Sequence, residues 1–432
     1  MILQQTILWL TLDTTVGDAI LKDVYEGPLR EQINQDTKLL DYFTEGDVKE
    51  RKWEGRQVII PLHKSRNSGV KALAIDTGLL PAAGNQGTVQ AKVPIKKTMG
   101  RIQITADIMQ AASSDRGSFI RALELEQKFL VKDIARQRNR MLAYFGQGTL
   151  ATISAGANSA TQALANPGNV SGTVNATRFT PVGAVLAFTD PTGVTLRGVR
   201  TVVSVSEPNI TVDSSVNTTT SDLVSLGTTV GATESSFGAE MMGLLGLIDG
   251  TTFVSNIFSI DRTQAANAFY KANVITSVGV LNPDILNRGI DNTNEVSGQT
   301  VDRWLCHYSI KREIFKLVEA DKRYNVNPGN GGKTFDPGPN VQEFFYAGLP
   351  GKTDKDLPYG TLFGISDGLL EWYPENKGGW ADEDGTILLR TATQDQFEAR
   401  WRVNENTFIA QPNAFVRFDG VTSTVTSGTF SL

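Results

Sequence analysis

The clearest pattern of apolar and polar positions lies between residues 118 and 145. Apolar side chains recur there at three-, four- and seven-residue spacings, which places them on one face of a helix. Ser118 suits the N-cap position and Gly146 suits the stop. The pattern predicts an amphipathic helix over Ser118–Phe145, about 40 Å long at the rise of an α-helix. Its apolar stripe consists of Phe119, Leu123, Leu130, Ile134, Met141 and Phe145.

Residues 49–107 carry a different pattern. Val58–Leu62 and Arg101–Thr105 are short apolar or alternating runs, which are typical of strands. The stretch between them is polar and contains several glycines. We interpret the segment as a long hairpin or extended loop with two strand-like feet. Because such a loop cannot bury a core of its own, it must rest on another surface.

Residues 149–236 differ from the rest in composition. Serine and threonine account for 28 of these 88 residues, and lysine is absent. Short apolar runs alternate with proline- and glycine-containing turns, which favours an all-β insertion in the form of a small barrel or sandwich. The strand-like runs are Val182–Phe188, Val199–Val205, Ile210–Val212 and Leu223–Leu226.

The remainder, from residue 237 onward, mixes helical and strand patterns, so the predicted fold class is α+β. Helical stretches are predicted within Thr263–Ala272 and Thr300–Ala320. Strands are predicted at Leu362–Trp372, Thr386–Arg390, Phe408–Ala410 and Ala414–Phe418.

The charge distribution makes the loop more distinctive. The whole chain carries a net charge of −5, which makes it a poor electrostatic partner for nucleic acid. Lys49–Arg101 contains eleven basic and three acidic side chains, a net charge of +8, which leaves −13 for the rest. The segment is either a solvated loop kept soluble by its charge or a basic arm that docks on an acidic neighbour.

The sequence contains only weak candidates for a catalytic or metal-binding site. Gly329–Thr334 resembles a phosphate loop, but the required first glycine is replaced by Asn327 and prolines follow. Asp382–Gly385 lacks the later ligands of a calcium loop, so a turn is favoured. Cys306 is the only cysteine, which excludes an intrachain disulfide, and we expect it in the core rather than paired with His307.

No segment predicts a membrane span or a signal peptide. The strongest apolar stretch, Met241–Ile248, is interrupted by two glycines and is far shorter than the roughly 20 residues that a span needs. The first twelve residues lack a basic residue ahead of their apolar part.

The order of these parts carries the most specific signal. A short arm, a basic two-footed loop, a long helix, a mixed domain and two terminal strands follow one another. This order resembles the major capsid proteins of tailed bacteriophages, with the Hong Kong 97-like fold shared by herpesvirus shells. Shorter patterns that are similar to the family's are Gly243–Gly250, Ser259–Arg262, Val301–Leu305 leading into Ile310–Leu317 with Arg323-Tyr324, and Asn406–Val416.

The resemblance implies a division of the chain into capsid elements. The predicted parts are an N-terminal arm (1–50), an extension loop (51–106), a peripheral domain with the spine helix (107–148), the β-rich insertion (149–236), an axial domain (237–400) and C-terminal peripheral-domain strands (401–432). The insertion lies outside the minimal family pattern.

The resemblance also implies a structural role without catalysis or cofactor. Copies of the chain would form the hexamers and pentamers of an icosahedral shell that encloses double-stranded DNA without sequence-specific binding. A separate scaffolding protein, a portal and a decoration or cement protein are the expected partners, with no membrane. The shell would assemble in the host cytoplasm and remain in the virion. The predicted inter-subunit contacts are Arg56, Lys64, Arg66, Lys71, Lys92, Lys96 and Lys97.

Two alternatives stay open. Trp372, Tyr373, Trp380 and Trp401 beside Glu371 and Glu398 could line a sugar cleft of a secreted or surface β-rich carbohydrate-active protein. We favour an aromatic core with flanking surface charge. The missing signal peptide and the basic loop argue against that class. The second alternative is another virion component, such as a tail-tube subunit.

Overall fold

A computed structural model describes residues 39–45, 53–54, 57–73, 75, 78–106, 116–172, 174–228, 235–322, 343–382, 387–390 and 395–422. Its helices are α1 (Arg116–Ala143), α2 (Leu244–Leu247), α3 (Pro283–Ser297) and α4 (Tyr308–Lys322), and its 3-10 turns are Leu39–Tyr42, Pro167–Asn169, Ala265–Tyr270 and Pro412–Ala414. Its strands are β1 (Thr44–Glu45), β2 (Trp53–Glu54), β3 (Gln57–Ser65), β4 (Gly87–Pro94), β5 (Lys96–Thr105), β6 (Thr149–Ala155), β7 (Asn158–Ala165), β8 (Val185–Thr189), β9 (Leu196–Ser206), β10 (Asn209–Asn217), β11 (Leu223–Leu226), β12 (Asn256–Ile257), β13 (Ile260–Asp261), β14 (Asn273–Ile275), β15 (Arg303–Cys306), β16 (Glu343–Tyr346), β17 (Leu349–Thr353), β18 (Leu362–Ile365), β19 (Leu370–Trp380), β20 (Leu389–Arg390), β21 (Gln396–Ile409) and β22 (Val416–Phe418).

The strands form two large sheets beside a separate barrel and a hairpin sheet. One large sheet has the order β1-β19-β21-β20, with β5 also paired to β21. The other has the order β14-β22-β18-β15-β17-β16 and mixes parallel with antiparallel pairs. β2, β3 and β4 form a three-stranded hairpin sheet, and β12 pairs with β13. This combination of helices and sheets is the predicted α+β class.

The predicted long helix is present as α1. It begins at Arg116, so Ser118 lies inside the helix and is not its N-cap, and it ends at Ala143, shortly before the predicted stop. Gly146 adopts a positive φ of 73°, which glycine tolerates best. The C-terminal part of α1 is buried, with Ile134, Met141 and Leu142 each at most 7% exposed. Met141 and Leu142 belong to the main apolar core, together with the foot of the hairpin, α2 and the inner face of the β19–β21 pair.

Two buried arginines, Arg262 and Arg417, hydrogen-bond the backbone carbonyl oxygens around α2. Arg262 donates to the carbonyl oxygens of Gly246 and Leu247 at 2.9 and 2.8 Å. Arg417 donates to those of Leu245 and Ile248, and its Nη2 also lies 2.9 Å from Asp249 Oδ1. Carbonyls at a helix end need such donors when they are removed from water.

The insertion forms a closed six-stranded barrel in the order β10-β7-β6-β11-β8-β9. Its interior is a separate apolar cluster that includes Leu186, Phe188, Ile210 and Val224, all fully buried. The apolar runs predicted as strands overlap β8, β9, β10 and β11, although the first run, Val182–Phe188, begins before β8. β6 and β7 have no counterpart in the prediction, because their small residues lack strong strand character.

The predicted domain boundary at residue 400 does not coincide with a boundary between the two large sheets. That position lies inside β21, and β19, which the sequence assigned to the axial part, belongs to the same sheet as β21. β22, assigned to the C-terminal peripheral strands, pairs with β14 and β18 in the other sheet. Strand pairing between distant segments decides this arrangement, and local patterns do not report it.

Several local predictions need correction. β4 occupies part of the stretch predicted as polar loop, and α3 was not predicted at all. The helical stretch at 263–272 is only a 3-10 turn, Ala265–Tyr270, and the strand at 386–390 shortens to β20. The phosphate-like loop at 329–334 and most of the acidic turn at 382–385 lie outside the described residues.

Candidate functional site: a projecting hairpin and its anchor

The hairpin of β3 and β4 runs from the core into solvent. The nine residues of β3 span about 30 Å at the rise of an extended strand. At its foot, Val58 and Ile60 face Val93 and Ala91 across the ladder, and all four belong to the main core. Beyond Pro61 no residue of the hairpin up to Val89 is buried among those described. The foot is therefore anchored, while the described residues of the chain leave the distal part without a buried side chain.

The far end of the hairpin is apolar as well as basic. Five large apolar side chains between the two strands are between 41% and 99% exposed. Soluble proteins rarely leave such a group uncovered, and a contiguous exposed patch marks an interaction surface. We call these residues the apolar tip: Val70, Leu73, Ile75, Leu79 and Leu80.

A polar clamp holds the base of the tip together. Asn67 Nδ2 donates to the carbonyl oxygen of Gly84 at 2.7 Å, and the backbone N–H of Gly69 donates to Asn67 Oδ1 at 2.7 Å. A Cβ atom at Gly84 would collide with Asn67 Oδ1 and lie 2.9 Å from the backbone nitrogen of Gly69. His63 and Gln86 are also hydrogen-bonded across the hairpin. The clamp therefore joins the two arms of the loop before any partner binds.

The predicted basic contacts lie in different settings. Lys64, Arg66 and Lys71 flank the clamp and the tip, and none of them forms an ion pair with another described residue. Lys92 and Lys97 are exposed on β4 and β5. Lys96 instead donates from Nζ to the carbonyl oxygen of Gly238 at 2.7 Å, and burial lowers its pKa. Arg56 lies outside the described residues.

The strand that follows the hairpin is fixed along its whole length. β5 pairs antiparallel with β21 from Lys96 opposite Glu405 to Thr105 opposite Gln396. α1 packs closely on this strand, since a Cβ atom at Gly100 would lie 2.7 Å from Ile134 Cδ1. The hairpin is thus attached to a rigid sheet and helix.

Buried charges strengthen this anchor. Arg138 on α1 donates from Nε and Nη2 to both carboxylate oxygens of Glu405 at 2.6 Å, a two-point contact. Trp372 Nε1 donates to the same carboxylate at 2.6 Å. Near the end of α1, Arg140 pairs with Glu240, and burial raises the pKa of that carboxyl against the opposing effect of Arg140.

A second joint connects the barrel to the six-stranded sheet. The guanidinium carbon of Arg178 lies 4.4 Å from the ring centroid of Phe179 and 4.8 Å from that of Tyr359. Its Nη2 donates to the carbonyl oxygens of Lys355 and Leu357 at 3.0 and 3.2 Å. The ring of His307 lies 4.4 Å from that of Tyr359. The barrel is therefore held against the body by Arg178, which packs over the ring of Tyr359 and donates to backbone carbonyl oxygens.

Of the two adjacent residues considered for catalysis, Cys306 lies in the core and His307 is half-buried against Tyr359. Cys306 is fully buried in β15, and burial raises the pKa of its thiol. Burial, with Arg178 and Arg312, lowers the pKa of His307 to about 3. Among the described residues, no group of three or more histidine, cysteine or acidic side chains could hold a metal ion. None of the described helices is long and apolar enough to cross a membrane.

No protein-family model matches the sequence, and the search of curated proteins found no relative. Solved structures do match. A chain of the cyanophage A-1(L) capsid asymmetric unit superimposes with a TM-score of 0.55 at 10% identity, covering 92% of this chain and 96% of that one. This chain has the fold of that capsid chain. The predicted resemblance to phage capsid proteins is confirmed at the level of the fold.

Two further matches have lower scores. The capsid of a native GTA particle gives a TM-score of 0.47 at 10% identity, covering 95% of this chain and 100% of that one. A structure from Gordonia phage Cozz gives 0.44 at 10% identity, covering 98% of this chain and 99% of that one.

The apolar tip is what sequence reasoning missed at this site. The basic residues of the loop attracted attention because their net charge can be counted. Ile75, Leu79 and Leu80 stand in a stretch with glycine and proline, which was described as polar. One signal could have found them. These apolar side chains do not recur at the spacing of a strand or a helix, so no regular element of the loop would bury them.

Proposed function

We propose that this chain is a major capsid protein, a structural subunit that assembles with copies of itself into an icosahedral phage head. One observation carries the proposal: a chain with the fold of a phage capsid subunit extends a clamped hairpin whose apolar tip its own described residues leave uncovered. Hexamers and pentamers of the subunit would build the shell, and double-stranded DNA would fill it.

The apolar tip supplies the reason for assembly. Complete burial of an exposed leucine, such as Leu79 or Leu80, contributes roughly 1.5–3 kcal/mol. The described residues of a single chain do not provide this contribution, since the hairpin directs the tip away from the core. A second copy can cover the tip, and a contact between two different patches closes into a ring when the rotation fits.

The basic residues of the hairpin act as a weaker, second contribution. The +8 loop and the −13 remainder favour head-to-neighbour contact between copies. Exposed ion pairs each contribute only about 0.2–1 kcal/mol. We retain as proposed contacts Arg56, Lys64, Arg66, Lys71, Lys92, Lys96 and Lys97, with the Lys96 ammonium already engaged by Gly238.

The remaining partners follow from the same proposal. A separate scaffolding protein would set the shell size, a portal would occupy one vertex, and a decoration or cement protein could bind outside. The net charge of −5 keeps the shell from adhering to packaged DNA. The protein would have no catalytic activity, assemble in the host cytoplasm and reside in the virion.

Electron microscopy of the particles that contain this chain tests the proposal. We expect closed shells with five- and six-fold capsomers. Tubes would assign the chain to a tail, and a chain recovered only as a monomer would remove the structural role altogether.

A further inference from the structure

Three buried hydrogen-bond donors lie where the end of α1 meets the barrel. Arg140 and Tyr144 are 4% and 3% exposed. They stand four residues apart, and the N–H of Tyr144 donates to the carbonyl oxygen of Met141, so both side chains lie on one side of the last helical turn. Arg140 Nη1 and the Tyr144 hydroxyl have no hydrogen-bond partner among the described residues. The same holds for Arg178 Nη1, which reaches this place from the insertion.

The ring of Phe179 shows that the three donors surround one place. The guanidinium carbons of Arg178 and Arg140 lie 4.4 and 5.8 Å from its centroid. The ring of Tyr144 meets it edge-on, with the two centroids 5.5 Å apart. Burial raises the pKa of Tyr144 to about 12 against the lowering effect of Arg178 and Arg140, so both cations act on a phenol that keeps its proton.

The acidic side chains nearby are engaged by other groups. Glu240 pairs with Nη2 of Arg140. Asp356, whose charge also raises the pKa of Tyr144, accepts from Asn139 Nδ2 at 2.7 Å. A buried donor without an acceptor is costly, most of all when it belongs to a charged group. Three such donors in one place therefore indicate a ligand that accepts hydrogen bonds.

We propose that Arg140, Tyr144 and Arg178 form a binding site for a small monovalent anion of the chloride class. Guanidinium N–H groups can only donate, so the ligand must accept from two cations at once. A water molecule can accept from two donors but must then place two protons of its own, whereas an anion accepts from all three. Hydrogen bonds between a charged donor and an anion are also stronger than neutral ones.

The anion would join the last turn of α1 to the barrel. Arg140 and Tyr144 belong to the helix end, and Arg178 belongs to the insertion, so one ligand contacts both sides of the joint. All three donors belong to a single chain. The site therefore goes beyond the proposed function and does not depend on assembly.

Exchanging gluconate for chloride at a fixed sodium concentration tests the site in the unassembled wild-type chain. Gluconate is too large for a buried site, so only chloride should stabilise the fold through it. Binding to the folded state multiplies the ratio of folded to unfolded chains, about elevenfold at a chloride concentration ten times the Kd. Urea unfolding measures this ratio. Equal unfolding in the two salts at every concentration would overturn the proposal.

Tyr144→Phe removes one donor and keeps the ring. In gluconate this variant should unfold like the wild type, because the hydroxyl has no partner there. Its affinity for chloride should fall about tenfold for the lost hydrogen bond to a charged ligand. Tyr270→Phe is the matched control: its hydroxyl is equally buried but donates to the carbonyl oxygen of Ile409 at 2.8 Å. It should lose stability equally in both salts and keep the full gain from chloride.

An undiminished chloride gain in Tyr144→Phe would place the anion elsewhere and overturn the assignment. Crystals of the wild-type chain grown in bromide give a readout that needs no variant. They should show an anomalous peak within hydrogen-bonding distance of the three donors, and a site without that peak would refute the proposal. Failure of the chain to form shells would remove the capsid role and leave this inference standing.

Discussion

The barrel and the projecting hairpin are both antiparallel β structures. The barrel buries its large apolar side chains, whereas the hairpin exposes those at its tip. The six barrel strands close on themselves, which leaves no edge strand, and Phe188 and Val224 lie fully buried inside. The hairpin instead exposes Ile75 and Leu79 at its tip, at 99% and 87%. One region completes its contacts within the chain, and the described residues leave the tip of the other uncovered.

Because of this difference, substitutions in the two regions should affect different measurable properties. A change inside the barrel alters the free energy of unfolding of a single chain, because its contacts are intramolecular. Under the proposed function, a change at the apolar tip should leave the unfolding of the single chain unaffected and alter the association of copies. The predictions below use this separation, beginning with the largest expected effect.

Charging the tip should abolish assembly. Leu79→Asp combined with Leu80→Asp removes two contributions of roughly 1.5–3 kcal/mol each and would require burial of two carboxylates. Sedimentation should show only unassembled chain, with an unchanged melting temperature. Val194→Asp is the matched control, since Val194 is 84% exposed in a barrel turn. Normal shells from the double variant would refute the role of the tip.

Truncating the barrel core should have the reverse effect. Phe188→Ala removes a fully buried ring and should destabilise the barrel by about 3–5 kcal/mol in denaturant unfolding. Leu79→Ala, made for comparison, should change that value by less than about 0.5 kcal/mol, because the side chain is already exposed. Equal destabilisation by the two variants would contradict the comparison.

Acid should weaken the joint between barrel and body. The pKa of His307 is lowered to about 3 by burial and by Arg178 and Arg312, so the folded state binds fewer protons than the unfolded state between about 6.5 and 3. The stability that His307 contributes is complete above pH 6.5 and falls by about 1.4 kcal/mol per pH unit below it.

Urea unfolding at pH 7.5 and 5.5 measures this slope. His307→Phe keeps an aromatic ring beside Tyr359 and should reduce the acid sensitivity. His63→Gln is the control, because His63 is exposed on the hairpin, outside the joint. An unchanged slope in His307→Phe would show that another group carries the acid response.

Reversing the loop charges should have the smallest effect. Lys64→Glu, Arg66→Glu and Lys71→Glu together should impair assembly and leave the single chain folded, since each exposed pair contributes only about 0.2–1 kcal/mol. The defect should also depend on ionic strength, unlike that of the apolar tip. Light scattering at low and high salt checks both statements, and salt-independent normal assembly would exclude the electrostatic contribution.

The sequence predicted those parts of the fold that repeat a local pattern many times. The stripe of α1 covers several turns, and the hydroxyl-rich insertion continues over 88 residues, so both were recognisable. β4 was missed because Val89, Ala91 and Val93 alternate over only a few positions between polar residues. The pairing of β5 with β21 joins segments about 300 residues apart, which no local pattern encodes.

The candidate site was predicted only in part, for a physical reason. Net charge can be counted from the sequence, so the basic character of the loop was recognised. Exposure is a property of the folded chain, and the uncovered state of Leu79 and Leu80 appears only once the hairpin is seen to leave the core. The engagement of Lys96 by Gly238 likewise depends on how the barrel exit lies against β5.

A high-resolution electron microscopy map of the assembled particle tests the central claim most directly. The measurement is the burial of Leu79 and Leu80 and the identity of the chain that covers them. We predict that both side chains are buried against a different copy of this chain within a closed shell. Tips that remain exposed to solvent in the shell, or that fold back on their own chain, would contradict the account.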